Sequence, residues 1–218
     1  MNKKAVIFDM DGVIVDSEPI YMQIFYELFK AHKQDVTLDD IYTVIGTSTE
    51  KTWEILGNFW DPVLDMDTIS NHYHEFEPTL EFVYEDLIFP HMRYLLKRLK
   101  EEDILIGLAS ASSRVTIDNV ITDTKIKDAF HSTISGDEVP ASKPSPDVYL
   151  ETMKRLGVKP ENTIVIEDSP SGIKAGKSAG ATVIAIKDHR FGLDQSQADH
   201  HVKDLMEAYN LIMTLFEI

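Results

Sequence analysis

The sequence predicts an α/β fold, a doubly wound parallel sheet with an all-helical insertion after its first strand. Three observations predict it. Short runs rich in Val and Ile recur along the chain and are nearly continuous in apolar character, as strands buried on both faces require. Helical patterns separate these runs, and strands that alternate with helices imply a parallel sheet covered on both sides. The alternation breaks in residues 17–86, where helical patterns follow one another with no convincing strand.

Taken in order, the first strand is AVIF (5–8). PIYMQIFYELFKAH, LDDIYTVIG, TEKTWEIL and DTISNHYHEFEPTLEFVYEDL then supply helical patterns for the insertion. HMRYLLKRLKEE (91–102) puts Met92, Leu95, Leu96 and Leu99 on one stripe, with Pro90 just ahead of its start. The second strand is ILIGLA (104–109), followed by the helix SRVTIDNVITDT (113–124) and the third strand STI (132–134). SPDVYLETMKRLG (145–157) is a helix closed by Gly157, and TIVIE (163–167) is the fourth strand. SGIKAGKSAG (171–180) reads as a short helix of small residues able to pack closely on a sheet, and TVIAI (182–186) as the fifth strand. The polar stretch KDHRFGLDQSQADHHV (187–202) reads as an irregular surface loop with no chemistry of its own. The expected domains are a core of residues 1–16 and 87–218, Rossmann-like in its winding, and a helical domain of residues 17–86.

A chain of 218 residues with 43% hydrophobic content can bury a substantial core. It has no cysteine, which removes disulfides and thiolate zinc sites. The apolar run in MNKKAVIFDM is too short for a signal peptide, and no stretch approaches a membrane span, so a cytoplasmic location is expected. The net charge of −16 argues against nucleic acid and anionic membranes as partners, because both are polyanions. Asp16 to Ile88 holds sixteen acids against Lys30, Lys33 and Lys51, so most of that charge sits in the insertion. With no clear exposed apolar segment, a monomer is the simplest expectation.

In an open parallel sheet, ligands bind beyond the carboxyl ends of the strands. Polar residues fall at four such ends: Asp9 and Asp11, then Ser110, then Lys143, then Glu167 with Asp168. Asp9 and Asp11, two apart on an extended segment, can share one pocket. So many acids together require a positive charge among them, and a hard divalent cation such as Mg2+ accepts carboxylates, water and phosphate oxygens. Lys143 adds a point charge suited to a phosphate or a carboxylate, and Ser110 a hydroxyl donor. These parts fit phosphoryl transfer in which one carboxylate attacks phosphorus and the other handles protons. The alternative for DMDG alone is a strand end followed by an acidic turn. The histidines His72 and His74 sit at a spacing that does not place both rings on one helix face, and the aromatics Phe25, Tyr26, Phe29, Trp53 and Trp60 sit at core spacing.

FDMDGV, LASAS (108–112), SKPSPDVY (142–149) and IEDSPSGIKAGKSAG (166–180), in that order, are similar to the four motifs of the haloacid dehalogenase superfamily of phosphotransferases. The SASSR and IEDS versions most resemble its beta-phosphoglucomutase branch, which also contains sugar phosphatases. The resemblance implies that Asp9 is the nucleophile and forms an aspartyl phosphate, and that Asp11 is the general acid and base with its carbonyl on magnesium. It implies that Asp168, helped by Glu167, holds the metal. Ser110, Lys143 and the amide of Ala111 would bind the phosphoryl group. The helical insertion resembles the family's small cap domain.

The chain departs from the mutase pattern at three places. Thr49 stands where the mutase cap carries an arginine, Ser113 and Arg114 stand where it has a lysine and an asparagine, and Tyr21 stands where it has a histidine. A mutase must hold a doubly phosphorylated sugar at two anion sites, whereas a hydrolase needs one. The expectation is therefore a phosphatase of a small phosphorylated metabolite. A mutase, with Lys51 or Arg114 gripping the second phosphate, and a non-catalytic phosphate-binding protein are the alternatives. Thr47, Ser48, Thr49 and Lys51 are the expected substrate contacts of the cap.

Overall fold

Strand β1 (Ala5–Phe8) has no exposed residue and stands inside the sheet with a parallel partner on each side. The computed structural model describes residues 3–47, 49–77 and 83–218. β2 (Leu105–Ser110), β3 (Ser132–Ser135), β4 (Thr163–Glu167), β5 (Thr182–Ile186) and β6 (His200–Val202) complete a six-stranded sheet in the order β3-β2-β1-β4-β5-β6. Every pairing is parallel. Phe8 is in register with Leu108 on one side and Ile166 on the other, so the ends of β1, β2 and β4 come level where the strand order reverses.

Alternation along the strands sends successive side chains to opposite faces. Ala5 and Ile7 of β1 join Val165, Val183, Tyr149 and Met153 in one buried cluster, beneath α8 (Asp147–Leu156) and α9 (Pro170–Ser178). α6 (Met92–Glu101) packs on β2, and α10 (Leu205–Phe216) on β5, β6 and α6. The stripe Met92, Leu95, Leu96 and Leu99 is buried as its spacing requires, and Gly157 ends α8 in the left-handed conformation. α7 (Arg114–Asp123) packs beside β3, with Ser113 as its N-cap.

Two elements depart from the expected order. β6 lies in the stretch read as irregular loop; its three residues, His-His-Val, carry too little apolar pattern to mark a strand, and it forms by adding to the edge of β5. α10, capped by Asp204, closes the sheet near the carboxyl end.

The backbone contacts divide the chain into two units, residues 1–16 with 84–218, and residues 17–83. In the first, Asp16 donates its amide to Leu87 and Phe89 to Ile14, so the outgoing and returning segments pair, with α5 (Tyr84–Leu87) at the return. The second holds α1 (Glu18–Ala31), α2 (Leu38–Tyr42), α3 (Thr49–Phe59) and α4 (Met66–Phe76), with no strand among its described residues. Its interior is aromatic: Phe25 packs on Trp53 and Tyr73, and Phe29 on Trp60, with ring centroids 4.9–5.9 Å apart. Thr37 caps α2 through a reciprocal pair of bonds with Asp40.

Candidate active site

β1 ends at Phe8, so Asp9 is the first residue past the sheet, its amide held by the carbonyl of Ile166 at 3.0 Å. β4 ends one residue later in its own run and delivers Glu167 and Asp168 beside it. Lys143 arrives from the segment between β3 and α8. Its ammonium lies 2.6 Å from Asp9 Oδ1 and 2.7 Å from Glu167 Oε1, and the ammonium, Asp9, Glu167 and Asp168 are all buried.

Glu167 is fully enclosed. Oε1 accepts from Lys143 and from the hydroxyl of Tyr149 (2.6 Å), while Oε2 accepts from the amides of Asp168 and Ser169 and from Ser169 Oγ. Its lone pairs are therefore taken up by donors of the chain. A Cβ built on Gly172 would meet Glu167 Oε1 at 1.7 Å, so α9 can approach this carboxylate only with glycine there.

One ammonium faces two carboxylates, and the charges do not balance. Burial and the Glu167 charge push Asp9 up to about 8, against the pull of Lys143. Burial would also raise Glu167, but Lys143, Tyr149 and Ser169 outweigh it and hold that carboxyl below its ordinary value. Burial alone would lower Lys143, and the two acids beside it raise it instead. Burial and the same acids push the Tyr149 hydroxyl well up, so it stays a donor.

This donor set fits a hard cation. One oxygen from each of Asp9, Glu167 and Asp168 lies within 4.8 Å of the others, all are carboxylate oxygens, and the upward push of burial and Glu167 on Asp9 marks a place for further positive charge. With Glu167 engaged by the chain, Asp9 and Asp168 are the carboxylates best placed to hold magnesium. Asp168 sits against Gly12, which has φ +75; a Cβ there would lie 2.0 Å from Asp168 Oδ2.

Asp11 accepts a hydrogen bond from Ser112 Oγ at 2.8 Å. Ser112 in turn is pinned by its amide on Ser110 Oγ (3.0 Å) and by its carbonyl on Ser135 Oγ (2.7 Å). Ser110 thus accepts through its oxygen while its hydroxyl hydrogen stays available to an anion. The carbonyl of Ala111 lies 2.8 Å from a Cβ built on Gly136, which lets this loop close over the end of β3.

The other expected residues that the structure describes have partners of their own. The guanidinium of Arg114 is bound to Glu138, to the hydroxyl and carbonyl of Thr133, and to Asp118. Lys51 pairs with Glu54, and Thr47 bonds to Val44 and Thr52 within its own turn. Ser48 and the side chain of Thr49 lie outside the described residues. Sequence reasoning missed Ser112, Tyr149, Ser169 and Gly172. Tyr149 had a signal, since a tyrosine on a buried helical stripe must find a partner for its hydroxyl.

The carboxylate next to Gly12 yields a prediction with its own control. Gly12→Ala adds both left-handed strain, about 1–2 kcal/mol, and a clash with Asp168. Gly192→Ala, at φ +64 with nothing within 4 Å, adds the strain alone. Both variants should melt at lower temperature, and Gly12→Ala alone should lose magnesium affinity, by about tenfold or more, as titration calorimetry will measure.

A family model described as haloacid dehalogenase-like hydrolase matches residues 6–186. The phosphorylated carbohydrates phosphatase of Thermotoga maritima is 30% identical over 179 residues, covering 81% of this chain and 82% of that protein. Hexitol phosphatase B of Escherichia coli is 30% identical over 198 residues, covering 84% and 82%. The crystal structure of a beta-phosphoglucomutase from Clostridium difficile superposes with a TM-score of 0.77 at 24% identity, covering 97% of this chain and 99% of that one, a likeness of fold.

Proposed function

The chain belongs to the family of haloacid dehalogenase-like hydrolases, and from that premise we propose that it is a magnesium-dependent phosphatase of small phosphorylated carbohydrates, working through an aspartyl phosphate. The observation that carries the proposal is the position of Asp9, buried at the end of β1 against Lys143 and within 4.8 Å of an oxygen of Asp168.

Magnesium, when bound by Asp9 and Asp168, would neutralise the carboxylates so that an anionic phosphate can approach them. Asp9 Oδ then bonds to phosphorus as the ester P–O bond breaks, and Asp11 gives a proton to the departing sugar oxygen. Water next attacks the same phosphorus, Asp11 takes its proton, and the P–O bond to Asp9 breaks to release phosphate. Lys143, Ser110 and the amide of Ala111 hold the phosphoryl oxygens, where charge is stabilised in passage. Glu167 serves chiefly to fix Lys143.

We propose that residues 17–86 act as a cap, with Thr47, Ser48, Thr49 and Lys51 toward the sugar. Hydrolysis is favoured over a mutase because the two side chains considered for a second phosphate, Arg114 and Lys51, are ion-paired to Glu138 and Glu54, and because the two relatives at 30% identity are named phosphatases. No helix among the described residues is long and apolar enough to cross a membrane. We further propose a cytoplasmic monomer.

The test is phosphate release from a panel of sugar and sugar-alcohol monophosphates. Release should require magnesium, stop on chelation and return when the metal is restored. Conversion of beta-glucose 1-phosphate to the 6-phosphate, primed by a bisphosphate and without free phosphate, would contradict it.

A further inference from the structure

We infer that Gln195 is a positioning residue for the carboxylate Asp168, an inference that rests on the magnesium-dependent reading above. Gln195 belongs to the polar segment between β5 and β6, where side chains are mostly solvated, yet it is 9% exposed. Its amide nitrogen donates both hydrogens to main-chain carbonyls, to Asp168 at 2.6 Å and to Ile186 at 2.7 Å.

The place of these carbonyls gives the contact its meaning. The last register pair of β4 with β5 is Glu167 with Ala185. Asp168 and Ile186 are the next residue on each strand, so Gln195 stitches the two strands together one position past the end of their ladder. Past the ladder's end the strands no longer supply each other's donors, and Gln195 supplies one to each carbonyl; breaking a buried bond of this kind costs more than the bond itself contributes.

Three restraints on Asp168 therefore act together. Its amide donates to Glu167 Oε2 at 3.0 Å, its carbonyl accepts from Gln195, and its carboxylate rests against the bare α-carbon of Gly12. The first and third restraints come from the catalytic motifs, and the second comes from a loop outside them. Gln195 is itself anchored: its backbone carbonyl accepts from the amide of Ala198 and bonds His201 Nε2 at 2.9 Å, so the brace runs from edge strand β6 to the acidic cluster. Partners that orient a metal ligand commonly change metal affinity or activity by about 10–100-fold when removed.

The test uses the full chain, with magnesium chloride alone as the ligand and p-nitrophenyl phosphate as the kinetic probe. Gln195→Leu and Gln195→Met remove both donors with different packing, so that one poorly folding variant does not decide the matter. Both should melt cooperatively, bind magnesium about tenfold more weakly by titration calorimetry, and regain most of the parent kcat at saturating magnesium with KM for the ester little changed. A residue that merely closes the loop would lower the melting temperature and leave magnesium affinity alone. Affinity equal to the parent's in either folded variant overturns the inference, and so does failure of both variants to fold. A parent protein that takes up no magnesium overturns the reading beneath it as well; a parent that binds, with variants that bind equally, leaves that reading standing.

Discussion

Asp9→Asn protein folds and turns no phosphate ester over, its kcat lower by a factor on the order of 10^4 or more, the scale seen when a nucleophile acting within a catalytic unit is removed. The side chain keeps its shape but loses the oxygen that would bond to phosphorus. Stability moves in the opposite direction. Burial and Glu167 push Asp9 to about 8, above its value in an unfolded chain. Between those two values the folded protein binds the proton and the unfolded chain does not, so metal-free parent protein loses stability as pH rises through that window. Asparagine carries no such penalty. Chemical unfolding of metal-free protein should therefore show the variant at least as stable as the parent near neutral pH, with a flatter dependence on pH. Turnover close to the parent's would remove Asp9 from the chemistry.

Lys143→Met should cost the most stability of any change at the site. The ammonium is buried between Asp9 and Glu167, and deleting one partner of a buried ion pair costs about 3–5 kcal/mol because the remaining charge is left uncompensated. The pH dependence identifies the cause. In the parent, Glu167 is held below its ordinary value despite burial, by Lys143, Tyr149 and Ser169. Its contribution is present above the unfolded carboxylate pKa and is lost as pH falls through the folded one. Without the lysine, burial dominates and the sign reverses: the cost is present above the unfolded pKa and fades as Glu167 takes a proton. Urea unfolding should then show a deficit that is large near neutral pH and narrows as pH falls toward the unfolded carboxylate pKa. A constant deficit would point to lost packing alone.

The parts of the fold that could be read in advance are those in which one physical rule dominates. β1, β4 and β5 are short, nearly continuous apolar runs rich in Val and Ile with both faces covered, the pattern of a buried strand. β6 forms only because β5 offers it an edge, so no local pattern announces it. The site divides in the same manner. Strand ends are legible, and so the acids, Ser110 and Lys143 that follow them are legible as a group. That Lys143 bridges Asp9 and Glu167, and that Tyr149 reaches Glu167 from a helix, depends on how α8 packs across β1, β2 and β3. Arg114 shows the same: its partners Glu138 and Thr133 lie 24 and 19 residues later in the chain, so its pairing cannot be read from the second motif. The part of Gln195 depends on two strand ends and a loop meeting, which residue types alone do not encode.

The central claim is that acids from separate parts of the chain gather so that Asp9 itself becomes phosphorylated. The most direct measurement is rapid acid quench during turnover of a sugar phosphate, followed by digestion and mass spectrometry of the peptide that contains Asp9 and Asp11. The account predicts the added mass of one phosphoryl group, placed on Asp9 by fragmentation, present with magnesium, absent after chelation and absent from Asp9→Asn. A phosphoryl group on another residue, or steady release of phosphate with no protein-bound intermediate under any quench, would contradict it.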